Sequence, residues 1–103
     1  MATSKIKSNT WQKLGEYAST ASISISGISF TELMVIGKGE GGAVPITIPN
    51  SDLSQNAQIF FAGGYALPNA NVGFYVTAST SQITTVMYVN GVSKSATICV
   101  YYK

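Results

Sequence analysis

The sequence predicts an all-β domain: an antiparallel β-sandwich, jelly-roll-like, with about eight short strands and at most one short helical turn. Two observations support this fold class. Short runs rich in Ile, Val, Thr, Tyr and Phe are separated by Gly, Asn, Pro and Ser along most of the chain. No segment keeps a helical period, and evenly spaced short strands are typical of sandwiches and jelly rolls.

Length and composition indicate one globular domain. The chain has 103 residues, of which 46% are hydrophobic and 10% are charged, so a packed core can form and disorder is disfavoured. We expect a single β-sandwich domain over residues 10–103. Residues 1–9 are polar, and we expect them to be a connector or a remnant of cloning.

The strands can be placed from their alternation and composition. In Ser22-Ile23-Ser24-Ile25-Ser26 the serines and isoleucines alternate, which predicts a strand with one buried face. Leu33-Met34-Val35-Ile36 is continuously apolar, which predicts a central strand covered on both faces, by the second sheet and by a neighbouring subunit or loops. The predicted strands are 10–17, 21–25, 32–38, 44–48, 58–62, 72–78, 82–90 and 96–102.

Two connections have recognisable signals. The glycine-rich stretch 38–42 predicts a flexible connection between adjacent strands. After Pro49, either Asn50 or Ser51 is expected to cap a single helical turn through its side chain.

The dipeptide Asn90-Gly91 lies between two β-rich runs and predicts a two-residue type I′ turn. That turn sets a register in which Val89 faces Val92, Met87 faces Lys94, Thr84 faces Thr97 and Ile83 faces Ile98. One face of this long hairpin is then apolar enough to be core. The opposite face is too apolar for a solvated surface, and we expect it to lie against another subunit. The interface residues expected on it are Val86, Tyr88, Cys99 and Tyr101.

The composition disfavours several classes of function. There is no histidine, so a Ser–His mechanism is excluded, and four acidic residues make a carboxylate-pair enzyme a poor expectation. One cysteine and no histidine predict neither a zinc site nor a cofactor. The chain has no arginine and no basic stripe, which argues against nucleic-acid binding, and no apolar stretch predicts membrane insertion.

Four segments form a pattern that covers most of the sequence after residue 10. They are Trp11-Gln12-Lys13-Leu14-Gly15, Leu33-Met34-Val35-Ile36, Val44-Pro45-Ile46-Thr47-Ile48-Pro49 and the Asn90-Gly91 hairpin that leads to Tyr101-Tyr102. In this pattern the chain resembles the distal head domains of tailed-bacteriophage and prophage tail fibres and receptor-binding proteins. The resemblance implies that residues 10–103 are a head domain, joined through residues 1–9 to an upstream shaft.

This resemblance implies a small β-sandwich at the tip of a homotrimeric fibre on the virion. Such a domain acts outside the cell and binds a bacterial surface saccharide or another host receptor, without catalysis. Two alternatives stay open: a purely structural trimerisation or capsid-decoration domain, and a free-standing lectin-like module.

Saccharide binding needs an aromatic platform with fixed polar partners, because a sugar has an apolar C–H face and a rim of hydroxyls. The segment 63–71 offers both, with Tyr65 as the platform and Asn69 and Asn71 as hydrogen-bonding partners. The alternative is that these residues only form turns. Trp11 is a second candidate platform, and it could equally be a core or interface anchor.

Overall fold

The computed structural model describes residues 10–18, 21–39 and 41–103, and within them it shows a two-sheet antiparallel β-sandwich. The fold class is therefore confirmed. The predicted connector at residues 1–9 lies outside the described residues. The strands are β1 Gln12–Ala18, β2 Ser22–Ser24, β3 Glu32–Gly39, β4 Gly42–Pro49, β5 Gln58–Leu67, β6 Ala70–Ala78, β7 Gln82–Val89, β8 Val92–Ser93 and β9 Thr97–Tyr102.

The four-stranded sheet has the order β1-β9-β3-β4, and the five-stranded sheet has the order β2-β7-β6-β5 with β8 added to β7. The first strand thus lies beside the last in one sheet, and β2 lies beside β7 in the other. As predicted, β3 is central in its sheet. On β3, Leu33 and Val35 are buried while Met34 and Ile36 are half-buried, so the described residues cover the outer side only in part.

The core lies between the two sheets and follows the period of two. On β2, Ile23 is buried and its serine neighbours are exposed, as the alternation predicts. Phe74 is fully buried and packs directly over Gly37 of the opposite sheet. Each such side chain contributes roughly 1.5–3 kcal/mol of hydrophobic stabilisation. The fully buried side chains are Phe74, Ile25, Leu33, Ile48, Ile83, Met87, Ile98, Val35, Val76, Val100, Thr85 and Cys99.

The fifth strand is longer than predicted, because the two glycines at 63 and 64 do not end it. They lie inside β5, where the pairing with β6 shifts between Phe61 and Gly63, as in a β-bulge. Gly63 has a φ of 132°, a conformation that glycine adopts without strain. The segment predicted to be a ligand-binding loop is therefore the end of a β-hairpin closed by Pro68 and Asn69.

The Asn90-Gly91 turn is confirmed, but the long hairpin predicted around it is wrong. Asn90 and Gly91 have φ values of 53° and 80°, as a type I′ turn requires, and Val89 pairs with Val92. The Lys94 N–H donates to the Met87 carbonyl over 2.9 Å.

Beyond Lys94 the chain crosses to the other sheet. There β9 pairs with β1 and β3, and Ile98 lies beside Tyr17 and Gly37 rather than Ile83. Alternation shows which residues of a strand face the core. Both sheets face the same core, so alternation does not show which sheet the strand joins.

The single helical turn is confirmed as a 3₁₀ turn over Asn50–Asp52. The expected side-chain cap from Asn50 or Ser51 is wrong, because Pro49 occupies the capping position. The turn is closed by the Leu53 N–H, which donates to the Asn50 carbonyl over 3.0 Å.

Candidate functional site

The outer face of the five-stranded sheet carries a row of three aromatic residues, one on each of β5, β6 and β7. Phe61 is directly opposite Tyr75, and their ring centroids are 4.9 Å apart. Tyr88 meets Tyr75 edge to face at 5.7 Å. The three residues are 59%, 36% and 37% exposed, respectively. This aromatic row is a preformed apolar platform in contact with solvent.

Gly73 opens a groove beside the aromatic row. It is paired with Tyr88 across β6 and β7, so the position next to the Tyr88 ring has no side chain. The resulting aromatic groove has a volume of about 550 Å³ and is lined by Phe61, Asn71, Val72, Gly73, Tyr75, Tyr88, Asn90 and Gly91. Its size is within the range of roughly 300–1,000 Å³ typical of small-molecule sites.

The far end of the aromatic groove is polar and fixed by the type I′ turn. The Asn71 N–H donates to Asn90 Oδ1 over 2.9 Å, and the Asn90 N–H donates to the Asn71 carbonyl over 2.8 Å. These bonds hold the Asn90 side chain in place and satisfy its oxygen. Asn90 is exposed, and its Nδ2 group is a donor that can bond a ligand.

The five-stranded sheet carries no charged side chain. No Asp, Glu, Lys or Arg occurs between Asp52 and Lys94, a stretch that includes β5 to β8, and β2 is Ser22-Ile23-Ser24. The four-stranded sheet differs, because it carries Lys13 and Glu16 on β1 and Glu32 and Lys38 on β3. The charge of the described strands is therefore confined to one side of the sandwich.

The structure separates the residues predicted to bind a ligand. Asn71 lines the aromatic groove. Tyr65 pairs with buried Val72 and packs against the core; a Cβ built on Gly42 would lie 3.0 Å from its Cζ. Tyr65 and Asn71 thus face opposite sides of the sheet, and exposed Asn69 lies in the turn between their strands.

Trp11 belongs to a different part of the molecule. It immediately precedes β1 and is half-buried, and the Lys103 ammonium lies 4.7 Å from the centre of its ring. Lys103 also pairs with Glu32 over 3.2 Å. This cation–π contact and ion pair connect the start of β1 to the start of β3, so the structure gives Trp11 an anchoring position.

The four predicted interface residues do not share one face. Val86 and Tyr88 lie on β7 in the five-stranded sheet, and Tyr88 belongs to the aromatic row. Cys99 and Tyr101 lie on β9 in the four-stranded sheet, where Cys99 is a free, fully buried thiol beside Glu16 and Ile36. Contact of any of the four with a second subunit stays a prediction.

The described residues contain no group of three or more His, Cys, Asp or Glu side chains arranged to hold a metal ion. No helix in the same part of the chain is long and apolar enough to cross a membrane. A second, smaller cavity of about 370 Å³ lies where the chain crosses between sheets, and it is lined by Met87, Val89, Lys94 and Ser95.

The sequence does not identify Phe61, Tyr75 or Tyr88 as ligand-binding residues, and it predicts Tyr88 to be an interface residue. Their signal is the alternation of each strand: Tyr75 lies between Phe74 and Val76, which face the core, and so must face outward. The row itself could be found only from the register that places β5, β6 and β7 side by side.

Comparison with known proteins identifies no relative: no family model, no curated protein and no solved structure matches this chain.

Proposed function

We propose that this chain is a non-catalytic recognition domain that binds a saccharide in the aromatic groove. The observation that carries the proposal is the exposed aromatic row of Phe61, Tyr75 and Tyr88 beside the amide-lined end of the groove. Aromatic faces stack on the C–H face of a sugar, and the amides of Asn71 and Asn90 can bond its hydroxyls.

The biological setting belongs to the same proposal: a receptor-binding tip of a phage or prophage tail fibre, present in three copies on the virion and directed at a bacterial surface glycan. Its support is the sequence resemblance described above. The β-sandwich is consistent with that setting, because a rigid sheet can present recognition residues to a large partner.

The test is binding to a glycan array and to whole bacterial cells. Tyr75→Ala and Tyr88→Ala are expected to weaken binding about tenfold or more, because each removes part of the stacking platform. Thr84→Ala is the matched control, since Thr84 is exposed on β7 outside the groove. Unchanged binding by the folded tyrosine variants would refute the groove as the site.

A purely structural role is the second candidate, and one observation favours it. Ile59 is 72% exposed at the edge of the five-stranded sheet, next to the aromatic row, and large exposed apolar side chains are also typical of subunit interfaces. A parent chain that assembles stably but binds no cells and no glycans would support this alternative. Glycan binding by a stable monomer would instead support a free-standing lectin-like module.

A further inference from the structure

We infer that the aromatic groove selects an uncharged pyranose that binds over Gly73. This inference rests on the proposed recognition role. The choice between neutral and acidic saccharides follows from charge. None of the eight residues that line the groove is charged, and neither is any residue on the strands of its sheet. A carboxylate or sulfate placed here would lose hydration without a cation to compensate it.

The position of the sugar ring follows from the space above Gly73. A Cβ built on this glycine would lie 3.6 Å from Cε1 of Tyr75 and 3.9 Å from Cε1 of Phe61. Both distances are ordinary van der Waals contacts, so apolar C–H groups placed over Gly73 fit against the edges of both rings without displacing them. The C–H face of a pyranose is such a group.

The hydroxyl rim of the sugar then meets the polar end of the groove. Asn90 Oδ1 is already used by the Asn71 N–H, which orients the Asn90 Nδ2 group as a donor, while the Asn71 side chain supplies both a donor and an acceptor. These neutral groups suit hydroxyls, whereas the groove has no lysine or arginine that could give an anionic sugar a charge-assisted hydrogen bond.

The direct test compares neutral oligosaccharides with matched oligosaccharides that contain uronic or sialic acid. We expect the neutral probes to bind with little dependence on salt concentration, because no charge pair forms. Groove-dependent binding of the acidic probes, sensitive to Tyr75→Ala, would overturn the inference of neutrality and leave the recognition role intact. Absence of binding to every saccharide and to cells would instead overturn the recognition role.

Two variants test the placement of the sugar without disturbing the fold. Gly73→Ala fills the space beside the Phe61 and Tyr75 rings, and we expect it to weaken neutral-sugar binding about tenfold. Thr77→Val, on the same strand and the same face but outside the groove, is the control. Asn90→Asp keeps a residue suited to the type I′ turn but removes the Nδ2 donor, and we expect a loss of roughly three- to tenfold. Unchanged affinity in both variants would show that the sugar does not lie over Gly73.

Discussion

At the scale of single residues, Gly37 sets the spacing between the sheets. A Cβ built on it would lie 2.8–2.9 Å from three ring atoms of Phe74, which is fully buried and has no room to move. We expect Gly37→Ala to lower the free energy of unfolding by about 1–3 kcal/mol, measured by urea denaturation. Gly73→Ala is the control, since its Cβ fits; equal losses in the two variants would contradict this account.

A second residue-scale prediction concerns Thr85, a fully buried residue on β7. Its Oγ1 has no hydrogen-bond partner in the described part of the chain, although its N–H donates to the Ala21 carbonyl over 3.1 Å. Thr85→Val replaces the hydroxyl by a methyl group of similar size. We expect it to raise the free energy of unfolding by about 1 kcal/mol. The exposed neighbour Thr84→Val should change it far less, and destabilisation by Thr85→Val would show that the hydroxyl is stabilised.

At the scale of elements, β1 is an edge strand with an ion pair across its register shift. The hydrogen bond that Lys13 donates to Glu16 lowers the pKa of Glu16 below its ordinary value of 4.5, and raises the pKa of Lys13 above 10.5. The stabilisation from Glu16 is present above pH 4.5 and is lost as the pH falls through its lowered pKa. The stabilisation from Lys13 is present below pH 10.5 and is lost above its raised pKa.

We therefore expect Glu16→Gln to lower the melting temperature slightly at neutral pH and not in strong acid. The measurement is thermal unfolding of both proteins at several pH values. The neutral-pH difference should also shrink in high salt, because the pair is exposed. A difference that persists in strong acid would mean that Glu16 acts through packing instead of charge.

The elements themselves could largely be predicted from the sequence. Alternation located β2 and β7, and the Asn90-Gly91 dipeptide fixed a turn from local backbone preference alone. Two features depend on contacts that local sequence does not encode. The first is the continuation of β5 through Gly63, because a glycine inside a strand gives the same sequence signal as a glycine in a turn. The second is the crossing of the chain after Lys94, because it depends on which sheet has space for β9.

At the scale of the whole molecule, the charged and uncharged sheets divide the surface into two chemically different sides. This division is visible in the sequence as the uncharged stretch between Asp52 and Lys94, but only the pairing of β5, β6 and β7 turns it into one continuous face. The candidate site also depends on strand pairing, so it could not be predicted from the sequence. Phe61, Tyr75 and Tyr88 are far apart along the chain, and their contact follows from register.

The edges of the two sheets also differ, and this predicts how copies associate. β4 contains Pro45, and β1 carries charges, both of which discourage edge pairing. β5 has neither, and it exposes Ile59 and Phe61. We expect self-association of the chain to involve β5 and Ile59→Lys to shift it toward monomer, measured by analytical ultracentrifugation.

Thr97→Lys adds the same charge at an exposed residue on β9 of the other sheet and is the control. Equal shifts in the two variants would mean that net charge, and not the edge, governs association. A parent chain that stays monomeric at high concentration would contradict the proposed assembly of three copies.

The position of β9 between β1 and β3 has a consequence for the order of folding. β1 has no other strand partner in its sheet, so within that sheet it can pair only after β9 has been synthesised. Pairing of segments so distant in the chain is slow, because the chain between them loses conformational entropy when the loop closes, and the stabilising contacts form only afterwards. The hairpins β3–β4 and β5–β6–β7 are local and can form early. We therefore expect the four-stranded sheet to be completed last, when β9 pairs with both β1 and β3.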